Sequence, residues 1–311
     1  MIVQTSDKKC APSKNFTDGS CLTLEALQLI AKNHNKNTNT KYHIKITNNK
    51  LEMVKILEKA LSNKCDNQIC WTRVAVLEEI EKETFRPEGP TKRYAWLSTS
   101  DINDVIIQYQ DKHQDFVFLG AVPADFEELT VLGINNLDFY DFEKEGKSKL
   151  GMVINLDDSR GTGTHWVSLF VNLKEGHIYY FDSVGKKPST RTKKFINKIV
   201  KYLYNKKYKK NININKLLKI TNVLLKSSEF KEKYIIDSKN NILQSLNDMK
   251  IFDIRYNSKQ HQFGNSECGV YSINFIVRLV GGESFDDITN NITKDNKINN
   301  CRPEYFRNVN F

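Results

Sequence analysis

The chain has 311 residues, 39% of them apolar and 11% aromatic, enough to bury one good core and a smaller second one. Residues 1–9 lack the apolar run of a secretion signal, and no stretch approaches the ~20 apolar residues of a spanning helix, so neither export nor membrane insertion is expected. A soluble intracellular protein is expected to keep its six cysteines as reduced thiols, not as a disulfide framework.

In chain order, residues 1–19 read as a loosely structured arm. Ser20 is placed to cap a helix running to about Ala31, with Leu22, Leu24, Leu27, Ile30 and Ala31 along one side. Residues 42–46 read as a short extended piece, and 51–61 and 71–83 as two further helices. Together these predict a small, mainly helical domain over 1–90, closed by a linker at 84–91 that carries Pro87 and Pro90. Cys10, Cys21, Cys65, Cys70, His34 and His43 raise the question of zinc, whose usual ligands are thiolate and imidazole. Cys65-x4-Cys70 sits at the loose end of the usual spacing and no second tight pair accompanies it, so core or surface cysteines are preferred and no metal is expected.

A second domain is predicted over 91–311. It opens with a helix at 100–110 and a strand at 116–119, and 138–142 and 150–156 read as further extended segments. Apolar residues alternate through 164–173, Lys174-Glu175-Gly176 supplies a turn, and 177–182 returns as the partner strand. Folding this hairpin about Glu175 brings position 165 opposite roughly position 185, so His165 and Asp182 meet at its open end. Between 186 and 226 lie thirteen Lys and one Arg with no Asp or Glu, a window of +14 against +10 for the whole chain. Phe195, Ile196, Ile199, Val200 and Leu203 recur helically there, so the lysines read first as a solvated face and second as a polyanion site.

The stretch from Gln262 to Ser272 puts a cysteine where a turn meets a helix. Val270, Ile273, Ile276, Val277 and Val280 recur at helical spacing and Gly281-Gly282 supplies the stop, with Asn265 or Ser266 as the expected cap. Cys268 therefore belongs in the first turn, where unpaired backbone N–H groups and the positive end of the helix dipole favour a nucleophilic thiolate. His165 is the candidate base, oriented by Asp182. The side-chain amide of Gln262, six residues before the cysteine, is the candidate oxyanion donor, with Gln260 as a nearby competitor.

The order His165-Trp166, then Phe181-Asp182-Ser183, then Gln262 followed by Cys268-Gly269-Val270-Tyr271 resembles the Ulp1/adenain group of cysteine proteases. Tyr94 to Val105 looks like the segment that opens that family's catalytic domain, and the resemblance covers about residues 94–280. Within the group, 118–126 and the cysteine-rich N-terminal region look most like the polyprotein-processing proteases of large DNA viruses, such as that of African swine fever virus. The resemblance implies an α+β, papain-like core with a lysine-rich insertion around 186–258, and the roles of base, acid, oxyanion donor and nucleophile for His165, Asp182, Gln262 and Cys268. It further implies a cysteine endopeptidase that needs no cofactor and cleaves viral structural precursors after Gly-Gly. Trp166 would line the substrate channel, and the setting would be host cytoplasm, viral factory and virion. An isopeptidase acting on ubiquitin-like modifiers, an acyltransferase and a non-enzymatic nucleic-acid-binding scaffold are the alternatives.

Overall fold

The structure, a computed structural model, describes residues 4–208 and 253–309. It divides into two compact units, Met1–Arg93 with Arg302–Phe311, and Tyr94–Cys301.

The first unit is built on α1 (Leu24–Lys36), α2 (Lys50–Leu61), α3 (Gln68–Val74) and α4 (Glu78–Thr84). Leu27, Ile30 and Ala31 of α1 and Met53, Val54, Leu57 and Leu61 of α2 recur three or four residues apart, and each set is buried as one stripe. The cap of α1 is Thr23, whose hydroxyl accepts from the Ala26 N–H at 3.2 Å. Ser20, expected in that role, instead accepts from the Leu22 N–H and donates to Gln68 Oε1 at 2.6 Å. The helix expected over 71–83 is two helices, parted where Val76 takes φ +56°, a left-handed conformation that is costly for a β-branched residue. The extended piece expected at 42–46 overlaps a 3₁₀ turn, Thr40–Tyr42, and forms no strand. The stretch read as a linker is part of this unit, since Phe85 is fully buried and Arg86 donates to the Cys10 carbonyl.

The cysteine expectation is corrected here. Cys10 is bonded to Cys21 and Cys65 to Cys70, with Cα atoms 5.4 Å apart in each pair. The reduced-thiol reading rested on compartment, whereas the folded backbone brings each pair to bonding distance. The four thiols weighed as zinc ligands are thus joined in pairs, and Cys268 and Cys301 take part in no disulfide.

In the second unit, α5 (Thr99–Lys112) begins with a capping box in which Ser98 and Asp101 satisfy each other's backbone N–H. β1 (Phe116–Val122) follows, then α6 (Phe139–Lys144), β2 (Lys149–Asn155), β3 (Trp166–Asn172) and β4 (His177–Phe181). The segment expected as extended at 138–142 is α6, because the Asp138 carboxylate accepts from the Tyr140 N–H at 2.9 Å and caps a helix. α7 (Thr190–Tyr208), β5 (Asp253–Tyr256), α8 (Cys268–Val280), α9 (Phe285–Asn290) and α10 (Asp295–Asn299) complete the unit. Residues 209–226 of the basic window lie outside the described residues.

The strands form one mixed sheet in the order β1-β2-β3-β4-β5, parallel at its two outer pairings and antiparallel in the middle. On β3, Val167, Leu169 and Val171 join a core with Phe195, Ile196, Ile199, Val200 and Leu203 of α7. The alternate residues face the other way, where α8 packs on β3 and β2. α5 packs on β1 and on α8. The core is therefore an α+β sheet covered on both faces, as expected.

The chain's last described turn is pinned inside the first unit by buried charge. The Arg307 guanidinium, 6% exposed, bonds Glu81 at 2.7 Å and Glu88 at 2.9 Å, and Arg73 also bonds Glu81. Burial alone would raise the Glu81 carboxyl, but Arg73 and Arg307 outweigh it and hold it below its ordinary value. A lowered folded-state pKa stabilises above the unfolded value and loses that contribution as pH falls through the folded one. Arg307→Ala should therefore cost about 3 kcal/mol at neutral pH, by urea unfolding, with the penalty shrinking below about pH 4.

Candidate active site

His165 immediately precedes β3 and Asp182 immediately follows β4. The observed register, Asn172 opposite His177, carries position 165 to the level of position 184, within one residue of expectation. Here His165 Nε2 lies 2.7 Å from Asp182 Oδ1. Asp182 is 1% exposed, and the same oxygen also accepts from the Val184 N–H at 2.9 Å.

Cys268 is the first residue of α8 and is 4% exposed. The helix has no side-chain cap: Glu267 occupies that position, and neither Asn265 nor Ser266 fills the expected role. Leu97 packs against Gly269 so closely that an added Cβ would lie 3.0 Å from Leu97 Cβ, which explains glycine after the cysteine. Cys268 lies close enough to His165 to act on its titration. Burial by itself would lower the imidazole's pKa, but the hydrogen bond to Asp182, together with the nearby Asp182 and Cys268, pushes it up to about 9.

Gln262 is 2% exposed and held at both ends of its amide. Its Nε2 donates to the Gly264 carbonyl at 3.0 Å, and its Oε1 accepts from the Ser183 hydroxyl at 2.6 Å. Since the nitrogen faces a carbonyl, the oxygen must face the hydroxyl, and one N–H remains for another acceptor. The Ser183 carbonyl also accepts the backbone N–H groups of His261 and Gln262, both at 2.8 Å. Gln260, the competitor, donates to the Gln262 carbonyl and braces the same loop. Asp295 accepts from the N–H groups of Phe263 and Gly264 at 2.9 and 2.8 Å.

Trp166 is buried, 9% exposed, and its indole N–H donates to the Leu97 carbonyl at 3.0 Å. It nonetheless lines a cavity of about 420 Å³ with Trp96, Pro123, Asp157, Asp158 and Gly163. Trp96, 54% exposed, is the accessible aromatic wall. Sequence reasoning quoted Trp96 and Ser183 within longer motifs but gave them no role, and Asn257 and Asp295 carried no signal at all. The basic window is partly neutralised where it is described: Arg191, Lys198 and Lys206 pair with Glu128, Glu127 and Glu143.

A cysteine at a helix start, an imidazole paired with a carboxylate and a fixed amide N–H are groups of the kind that acyl transfer uses. Residues 146–310 match the Ulp1 protease family, C-terminal catalytic domain. The R355 protein of Acanthamoeba polyphaga mimivirus, whose name assigns it provisionally to the thiol proteases, is 31% identical over 96% of this chain and 93% of its own. A SUMO-1 cysteine protease of African swine fever virus is 23% identical over 82% of this chain and 88% of its own. The crystal structure of an African swine fever virus protease matches the fold with a TM-score of 0.60 at 18% identity, covering 98% of this chain and 97% of that one.

The raised imidazole pKa has a measurable consequence. The alkaline limb of kcat/KM should fall near pH 9, where the His165 imidazolium is lost. Asp182→Asn keeps a hydrogen-bonding side chain but removes the supporting charge, so the limb should move to lower pH by about one unit. A limb unmoved by that substitution would separate Asp182 from the titration of His165.

Proposed function

This chain belongs to the Ulp1 family of cysteine proteases, and we propose that it is an endopeptidase that cuts viral structural precursors after Gly-Gly. The observation that carries the mechanism is the chain of contacts Asp182–His165–Cys268 at the mouth of the β3–β4 hairpin. The Cys268 thiolate attacks the scissile carbonyl, forming the C–S bond. The resulting oxyanion takes hydrogen bonds from Gln262 Nε2 and the Cys268 backbone N–H. His165, protonated and steadied by Asp182, gives its proton to the leaving amine as the C–N bond breaks. Water, deprotonated by His165, then attacks the thioester and frees the acid and the thiol. No cofactor takes part.

Relatives from two large DNA viruses support a viral precursor as substrate, with host cytoplasm, viral factory and virion as the setting. Among the described residues, no helix is long and apolar enough to cross a membrane. The cavity lined by Trp96 and Trp166 supports the Gly-Gly preference, because bulky aromatic walls leave more room for a backbone without β-carbons. The second reading, removal of a SUMO-like modifier, is supported by the African swine fever virus relative, which is named a SUMO-1 cysteine protease. Precursor and modifier conjugate assayed side by side separate the two.

In a peptide series varying the two residues before the cut, Gly-Gly should give the highest kcat/KM, and Leu-Leu should be uncut. Ala-Gly and Gly-Ala should fall between, because a misplaced carbonyl loses on the order of 100-fold in attack. Cys268→Ala should abolish every cleavage. Equal efficiency across the series would end the narrow-slot reading and leave the cysteine mechanism in place.

Nucleic-acid binding through 186–226 is proposed on its +14 charge alone. Saturable binding of duplex DNA at low salt, read by fluorescence anisotropy, should weaken as salt rises through loss of counterion release. Absence of saturable binding at low salt would return the window to a solvated face.

A further inference from the structure

β4 pairs with β5 only as far as Tyr180 opposite Tyr256. Just beyond, the ladder would have to fix Asp182, and a side chain does so instead. The Asp182 N–H donates to Asn257 Oδ1 at 2.8 Å, and Asn257 Nδ2 donates back to the Asp182 carbonyl at 2.7 Å. Asn257 Nδ2 also reaches the Lys259 carbonyl at 3.1 Å, and the residue is 3% exposed. Only a carboxamide offers a neutral acceptor and a donor side by side in this way, so it mimics a peptide group and carries the pairing on past the end of the ladder. Both backbone polar groups of Asp182 are thereby held, which sets the direction of its Cβ and the aim of its carboxylate at His165.

The same clamp reaches the oxyanion side. Asn257 heads the loop that ends at Gln262, and that loop is stitched back onto Ser183 by two backbone N–H groups and the Ser183 hydroxyl. At Gly185 (φ +76°) an added Cβ would lie 2.9 Å from the Ser258 carbonyl, so the two segments run in close contact. We propose that Asn257 is a positioning residue for the catalytic acid: it holds Asp182, and through Asp182 the imidazole, in the geometry that turnover needs. This rests on the reading of Asp182 as the partner of His165 in catalysis.

The test is a double-mutant cycle on the full chain, using the best-cleaved peptide of the series above, with folding followed by circular dichroism and thermal melting. Asn257→Ala should lower kcat by on the order of 10- to 100-fold while KM changes by less than about 2-fold, because substrate contacts are untouched and alignment is lost. In an Asp182→Ala background the same substitution should cost less than about 2-fold more, since residues acting through one group are non-additive. Asn257→Asp keeps the volume and one acceptor but sets a carboxylate against the Asp182 carbonyl, so it should show the same loss in kcat. It also serves as the readout if the alanine variant does not fold. Wild-type kcat in a folded Asn257 variant, or a full additive loss in the Asp182→Ala background, would overturn the positioning role. Near-wild-type turnover of Asp182→Ala alone would overturn the reading of the acid, and the proposal with it.

Discussion

The second unit depends on how a buried carboxylate is kept next to an imidazole. Asp182 is almost fully enclosed, and taking a carboxylate out of water costs several kcal/mol unless hydrogen bonds and an opposite charge replace the lost solvent. One oxygen receives both His165 and the Val184 N–H. Those two partners lie on the two sides of the β3–β4 hairpin's open end, so they coincide only in one register. A slip by one residue would turn His165 to the other face of the sheet and leave the buried carboxylate without its imidazole partner. The hairpin's register is thus tied to the chemistry as well as to packing.

Around that pair one short segment joins the cavity lined by Trp96 and Trp166 to the start of α8 at Cys268. The Leu97 side chain lies against Gly269 at the start of α8, the Leu97 carbonyl holds the Trp166 indole, and neighbouring Trp96 walls the cavity. A displacement of this segment would move the cavity wall and press on α8 together. α8 is a suitable anvil, being buried along nearly its whole length between the sheet and α5. Its first turn can hold Cys268 still because the rest of the helix has nowhere to go.

The two units make different demands on sulfur. The first carries disulfides that close short loops, with sequence separations of 11 and 5. The second holds Cys268 outside any disulfide, near His165. Charge is handled differently as well. Arg307, Arg73, Glu81 and Glu88 form a network within the first unit, whereas Arg191, Lys198 and Lys206 on α7 pair singly with carboxylates of the second.

Local chemistry in the sequence determined a good part of this. The periodic apolar stripe from Val270 to Val280, with glycines after it, specifies α8 with Cys268 in its first turn, and the turn at 174–176 specifies the hairpin that carries His165 to Asp182. These are short-range facts, set by a 3.6-residue period and a two-strand register. Asp138, by contrast, caps a helix where an extended segment was expected, and Val76 breaks a helix that periodicity ran straight through. The rest was decided by contacts between residues distant in the chain. Asn257 lies 75 positions from Asp182 and Ser183 lies 79 from Gln262, and no local pattern marks either pair. The cysteine pairing was likewise missed, because bonding is decided by where the backbone brings two sulfurs, which composition does not record. A sequence names the groups able to react, and tertiary structure decides which backbone atoms hold them in place.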